Sequence, residues 1–109
     1  MVFGSLRNQV TLVGNLHDKP LVTVFESGAM VARFSLGLEK AAAGRPTNNE
    51  QAFSLFAWGT TAEFINRHFS SGRKVAITGR LVNRTYVGPK GKPQKITEVE
   101  VRQVVLLES

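Results

Sequence analysis

Basic side chains are concentrated in one stretch of this chain and give the first indication of its chemistry. Residues 73–95 hold seven of the 14 Lys and Arg residues and contain no Asp or Glu. The seven are Arg73, Lys74, Arg80, Arg84, Lys90, Lys92 and Lys95. A concentrated positive charge favours a polyanionic partner, with nucleic acid first and an anionic membrane surface second. Any one of these residues fits an ordinary solvated face better, but an acid-free run that crosses two strands and a turn favours a binding surface.

Aromatic side chains are concentrated in a second stretch, at residues 53–69, which includes the only tryptophan, Trp58. In the segment AFSLFAW, strand parity places Phe56 and Trp58 on one face and Phe53 on the other. An aromatic ring on an open face could stack any nucleic-acid base, at roughly 1–3 kcal/mol per base. Alternatively, Trp58 could be a buried aromatic that anchors the core at a strand end.

Catalytic and metal-binding constellations are not found in the sequence. The two histidines, His17 and His68, are far apart, cysteine is absent, and the carboxylates are scattered. A metal site or a nucleophile with its base would need such residues at close spacing. No Gly-rich phosphate loop of the P-loop or dinucleotide type occurs either. We therefore predict no enzyme activity, no metal and no cofactor.

Length and composition indicate one globular domain over residues 1–109. The chain has 42% hydrophobic and 20% charged residues, a net charge of +6 and a pI near 10.3. No segment approaches the roughly 20 apolar residues that span a bilayer, and the first residues do not resemble a secretory signal. We expect a cytoplasmic protein that does not associate with membranes.

Short alternating segments predict strands at NQVTLVGNL, PLVTVF, MVARFSLGLE and AFSLFAW. Gly14 in the first strand predicts a bulge or a bend. In the third strand Phe34 points inward and Arg33 outward. Residues 40–51 are rich in Gly, Pro, Asn and small side chains, which predicts a mobile loop.

One short helix is predicted at about residues 60–69. Thr60 and Glu63 have the spacing of a capping box, and Phe64, Ile65 and Phe69 recur at helical intervals. Two more strands follow, KVAITGRLVNRTYV and QKITEVEVRQVVLLE, joined by the turn GPKGKP. Four strands, a helix and a basic hairpin in one small domain favour an all-β barrel, with a five-stranded OB-fold Greek-key barrel as the leading candidate.

Several of these segments, read together, resemble the bacterial single-stranded-DNA-binding protein family. The resemblance covers residues 8–107 and is carried by VGNL, by the aromatic-Gly pair at Trp58 and Gly59, and by the strand GRKVAITGRL. It implies an OB-fold, no enzyme activity, sequence-tolerant binding of single-stranded DNA and a homo-oligomer, a tetramer in preference to a dimer. It also implies a bacterial, phage, plasmid or organellar setting, where such proteins associate with the nucleoid.

The resemblance also implies roles for individual positions. Trp58 and Tyr86 match family stacking positions, and Arg84 matches a phosphate-contacting one. The full set of residues predicted to bind DNA is Arg33, Phe56, Trp58, Arg73, Lys74, Arg80, Arg84, Tyr86, Lys90, Lys92 and Lys95.

Some positions depart from the family pattern. Ala52 stands where the family has a tryptophan, and Val24 stands where it has a tyrosine, although the adjacent Phe25 could substitute. Fewer stacking positions predict weaker binding or a shorter site. The last residues, VVLLES, lack the acidic tail with which family members recruit partner proteins.

Two alternative functions fit parts of the sequence. A primosomal, replication-restart type of OB protein is short, tailless and dimeric, although the apolar spacing of the helix resembles that of the main family. An OB module that binds another protein, with an incidental basic charge, is a more distant alternative.

Overall fold

The computed structural model describes residues 8–38 and 52–107. Its elements are β1 (Val10–Leu16), β2 (Leu21–Val24), β3 (Met30–Leu38), β4 (Ala52–Trp58), α1 (Gly59–His68), β5 (Lys74–Val87) and β6 (Pro93–Leu106). The predicted order of four strands, one helix and two strands is confirmed. The predicted mobile loop at residues 40–51 lies outside the described residues.

Five of the strands close into a barrel. The ring runs β1-β5-β6-β4-β3 and returns to β1 through a short β1–β3 pairing, while β2 extends β3 at one edge. The pairings are antiparallel except for that of β4 with β6, which is parallel. This closed, five-stranded ring confirms the predicted OB-fold barrel.

The core lies inside this ring and under α1. Strand alternation sends Phe34, Leu55 and Ile77 inward, α1 adds Ile65, and Phe69 follows as the C-cap residue of the helix. The rings of Phe34 and Phe69 meet edge to face, with centroids 5.3 Å apart, so the helix is fixed to β3 by an aromatic contact. Phe34 is 7% exposed, which confirms its predicted place in the core.

Glycine at position 14 allows β1 to pair with two strands. Gly14 is in register with Leu38 of β3 and with Val75 of β5. A Cβ atom at this position would overlap the carbonyl oxygen of Gly37. The predicted bend is therefore the point where β1 closes the barrel.

Helix α1 begins one residue earlier than predicted. Gly59 has a φ of 61°, in the left-handed region that favours glycine, and turns the chain from β4 into the helix. The predicted capping box is wrong, because the N-cap is Trp58 and it makes no side-chain cap hydrogen bond. Glu63 instead accepts a hydrogen bond from Arg67, one turn later, at 2.8 Å. Among residues 8–38 and 52–107, no helix is long and apolar enough to cross a membrane.

A β-bulge changes which alternate residues of β6 face the core. The β5–β6 pairing steps from Thr78–Gln103 to Gly79–Val101, which leaves Arg102 without a partner residue on β5. Val99 and Val101 face the core before the bulge, and Val104 and Leu106 pack against it afterwards.

Candidate nucleic-acid interface

The outer side of the barrel carries a row of polar and aromatic residues across four strands. Strand register aligns Arg33 of β3 with Phe56 of β4, Phe56 with Glu100 of β6, and Glu100 with Arg80 of β5. We call the surface around this row the central face; its members are Arg33, Phe56, Trp58, Arg80, Arg84, Tyr86, Glu98 and Glu100. Residues from distant parts of the chain meet here because paired residues of neighbouring strands point to the same side.

Two aromatic rings on the central face are open to solvent. Trp58 is 46% exposed and Tyr86 is 41% exposed. Trp58 follows the last inward residue of β4, Ala57, so strand parity turns it outward. Both rings have the exposure that base stacking requires.

Phe25 adds a third ring, which was not among the predicted site residues. Its centroid lies 6.0 Å from that of Trp58, with 31° between the ring planes. Phe25 is 45% exposed and lies just after β2, where its N–H donates to the carbonyl oxygen of Ala29 at 2.8 Å. The sequence signal was its position beside Val24, which replaces the tyrosine of the family pattern.

Phe56 lies on the central face but is covered. It is 8% exposed, and the guanidinium carbon of Arg33 lies 5.3 Å from the centroid of its ring. This is a cation–π contact between residues paired across β3 and β4. Phe56 therefore supports Arg33, and its ring is not open for stacking in this structure.

Two glutamates bind the three arginines of the central face. Glu98, which is 5% exposed, accepts from Arg33 Nη1 through Oε2 and from Arg84 Nε through Oε1, both at 2.9 Å. Glu100 accepts from Arg80 Nε at 2.7 Å. The guanidinium carbon of Arg84 also lies 5.9 Å from the centroid of the Tyr86 ring. Sequence reasoning did not identify these glutamates, because they follow the acid-free run.

An open groove of about 360 Å³ is lined in part by Glu98 and its two arginine partners, Arg33 and Arg84. It is also lined by the charged residue Lys19 and by the apolar residues Phe34 and Leu55. Ser35 and Ser54, which are paired across β3 and β4, add hydroxyl groups. Apolar atoms next to guanidinium donors suit a chain of bases linked by phosphates.

The remaining predicted residues lie in two other places. Lys90 and Lys92 are exposed in the turn of the β5–β6 hairpin, and Lys95 is paired with Thr85, on the side of the hairpin opposite Tyr86. Lys74 is the first residue of β5 and Arg73 directly precedes it, so both lie at the opposite end of this strand from Tyr86. The fold thus brings six of the predicted residues to the central face, Arg33, Phe56, Trp58, Arg80, Arg84 and Tyr86, and places the other five at the two ends of β5 or on the other side of the hairpin.

The described residues do not provide a metal-binding cluster. Within residues 8–38 and 52–107, no group of three His, Cys, Asp or Glu could hold a metal ion. His68 contacts the ring of Phe64 on the helix surface, with centroids 4.5 Å apart. The arrangement of the central face is suited to binding.

Comparisons of the sequence with a family profile and with individual known proteins agree on one family. The sequence profile of the Single-strand binding protein family matches residues 7–107. The Single-stranded DNA-binding protein of Malacoplasma penetrans is 34% identical over 103 residues, which cover 94% of this chain and 52% of that protein. The protein of the same name from Corynebacterium glutamicum is 34% identical over 87% of this chain and 44% of its own length.

A shorter relative is matched over nearly its whole length. Single-stranded DNA-binding protein 1 of Clostridium acetobutylicum is 31% identical over 94% of both chains. The chain spans about half the length of the Malacoplasma and Corynebacterium relatives. The family match covers almost the entire chain and agrees with the barrel and its outer face. The chain therefore belongs to the Single-strand binding protein family.

Proposed function

We propose that the protein binds single-stranded DNA without strong sequence preference and protects it during replication, recombination and repair. The observation that carries the proposal is the position of two exposed aromatic rings, Trp58 and Tyr86, beside three arginines on one continuous sheet face. Stacking on these rings accepts any base, and guanidinium groups bind the phosphates between the bases.

The preference for single strands follows from the same geometry. A base must leave its duplex stack before either face of it can lie on Trp58 or Tyr86, so duplex DNA could use only the charged groups. Charge contacts with phosphates carry no sequence information by themselves. We therefore expect tolerance of sequence together with discrimination between single and double strands.

The names of the relatives support this assignment, since the Malacoplasma, Corynebacterium and Clostridium proteins are each named Single-stranded DNA-binding protein. We propose that this protein acts in the cytoplasm, on the nucleoid or another replicon, and that it has no catalytic activity of its own.

Binding of labelled oligonucleotides tests the proposal. Single-stranded DNA, duplex DNA and RNA of equal length are titrated with the protein at two salt concentrations, and fluorescence anisotropy gives each affinity. We expect the tightest binding for single-stranded DNA and a fall in log affinity with log salt of about 0.7 per phosphate neutralised. Equal affinity for duplex DNA, or an affinity that does not respond to salt, would contradict the proposal.

We also propose that the protein forms a homotetramer. An apolar row crosses three strands on the outside of the barrel, from Val13 of β1 through Ala76 of β5 to Val105 of β6. Val13 is 39% exposed and Val105 is 48% exposed. Light scattering should give four times the chain mass of 11.9 kDa, and Val13→Glu should lower it. A wild-type mass of one chain at micromolar concentration would overturn the proposal.

A further inference from the structure

Glu98 is the most enclosed charged group on the central face. It is 5% exposed, whereas the side chains of its two partners, Arg33 and Arg84, are 42% and 44% exposed. Each carboxylate oxygen accepts from one guanidinium at 2.9 Å. The cluster therefore has two positive charges, one negative charge and a net charge of +1, with its negative charge on the inside.

The carboxylate and a DNA phosphate would compete for the same donors. Guanidinium groups bind both anions through the same planar set of N–H donors. The hydrogen bonds to Glu98 use one nitrogen of each arginine, Nη1 of Arg33 and Nε of Arg84, and both arginines line the open groove together with Ser54. A strand lying in that groove would bring its phosphates to guanidinium groups that already hold an anion.

We propose that Glu98 regulates phosphate binding on the central face, by occupying Arg33 and Arg84 in the free protein and releasing one of them to a phosphate when DNA binds. The inference rests on the proposed binding of single-stranded DNA. Release stops at one arginine, because a carboxylate this enclosed and without a partner would be strongly unfavourable. The two arginines together thus neutralise one phosphate, not two.

The variant Glu98→Gln tests this competition directly. It removes the negative charge and keeps a carbonyl oxygen that can accept from one arginine, so both guanidinium groups become available to phosphates. We expect the slope of log affinity against log salt for labelled oligothymidylate to steepen by about 0.7, which corresponds to about fivefold tighter binding at 0.1 M salt.

Glu63→Gln is the matched control. Glu63 also accepts from an arginine, Arg67, at 2.8 Å, but this pair lies on the exposed surface of α1. Glu63→Gln raises the net charge by one, as Glu98→Gln does, and frees one arginine away from the central face. It should leave the slope unchanged; an equal change in both variants would show an effect of overall charge and overturn the proposal.

A measurement on the wild-type protein covers the case in which Glu98→Gln does not fold. The side-chain carboxyl ¹³C resonance of Glu98 should shift when oligothymidylate is added, since one of its two arginine partners leaves, while that of Glu63 should not. An unshifted Glu98 resonance at saturating DNA would overturn the proposal. So would a folded Glu98→Gln protein with the wild-type slope. Wild-type protein that fails to bind oligothymidylate would instead contradict the proposed function itself.

Discussion

The two faces of β4 have opposite environments although they are made by alternating residues of one strand. Leu55 and Ala57 are 1% and 0% exposed, whereas Trp58, one residue later, is 46% exposed. The neighbouring strand repeats the contrast, with Phe34 in the core and Arg33 in the ion pair with Glu98. The inner face therefore carries stability and the outer face carries the proposed binding, so substitutions on the two faces should have separable effects.

The largest expected effect is on the inner face. Phe34→Ala removes a ring that packs against Phe69 inside the barrel, and it should lower the free energy of unfolding by about 3–5 kcal/mol. Thermal melting measures this loss. Below its melting transition the variant should bind oligothymidylate as the wild type does; a specific loss of binding at unchanged stability would show that the two faces are not independent.

The outer aromatic residues should give the reverse result. Trp58→Ala and Tyr86→Ala should each cost roughly 1–3 kcal/mol of binding free energy and leave the melting temperature nearly unchanged. Phe64 serves as the control, because it is 38% exposed but lies on α1. Phe64→Ala should leave binding intact. A Tyr86→Ala protein that binds normally and melts early would place Tyr86 with the core residues instead.

Phe25→Ala should have a smaller effect on binding than Trp58→Ala. The ring of Phe25 is tilted against that of Trp58, with centroids 6.0 Å apart, and aromatic pairs contribute about 0.5–1.5 kcal/mol beyond their buried area. Anisotropy titrations of the single and double variants measure the coupling. If the losses of Phe25→Ala and Trp58→Ala simply add, the two rings act separately and do not form one platform.

The hairpin lysines should give the smallest effect, and one that depends on salt. Lys92→Gln should make the slope of log affinity against log salt shallower by about 0.7, equally for all sequences. Arg67→Gln on α1 removes the same charge from another surface and should not change the slope. Equal changes in both variants would mean that net charge, and not position, sets the salt dependence.

Most of the fold could be predicted because it depends on local patterns. Alternation located all the strands, and the switch at Gly59 located the helix to within one residue. The capping-box prediction failed because α1 begins at Gly59, which moves Thr60 from the cap position into the first turn. The bulge at Arg102 was not predicted, because the alternation of residues along β6 does not show that one of them lacks a partner residue on β5.

The site was less predictable because its contacts join distant residues. Parity placed Phe56 on the correct face, but its cover, Arg33, is on another strand and becomes its neighbour only through the β3–β4 register. Glu98 is 65 residues from Arg33 along the chain. The sequence did contain a signal for Glu98. Glu98 and Glu100 are two residues apart and therefore lie on the same face of β6. The short turn of the hairpin places this face next to that of Arg80 and Arg84 on β5.

The most direct test of the central claim is the accessibility of the single tryptophan to a collisional quencher. Acrylamide should quench Trp58 emission in the free protein, since the ring is 46% exposed. Saturating single-stranded DNA should protect the ring from acrylamide, because a stacked base covers it, and duplex DNA at equal nucleotide concentration should not. Unchanged acrylamide quenching at saturating single-stranded DNA would contradict the assignment of Trp58 as a stacking platform.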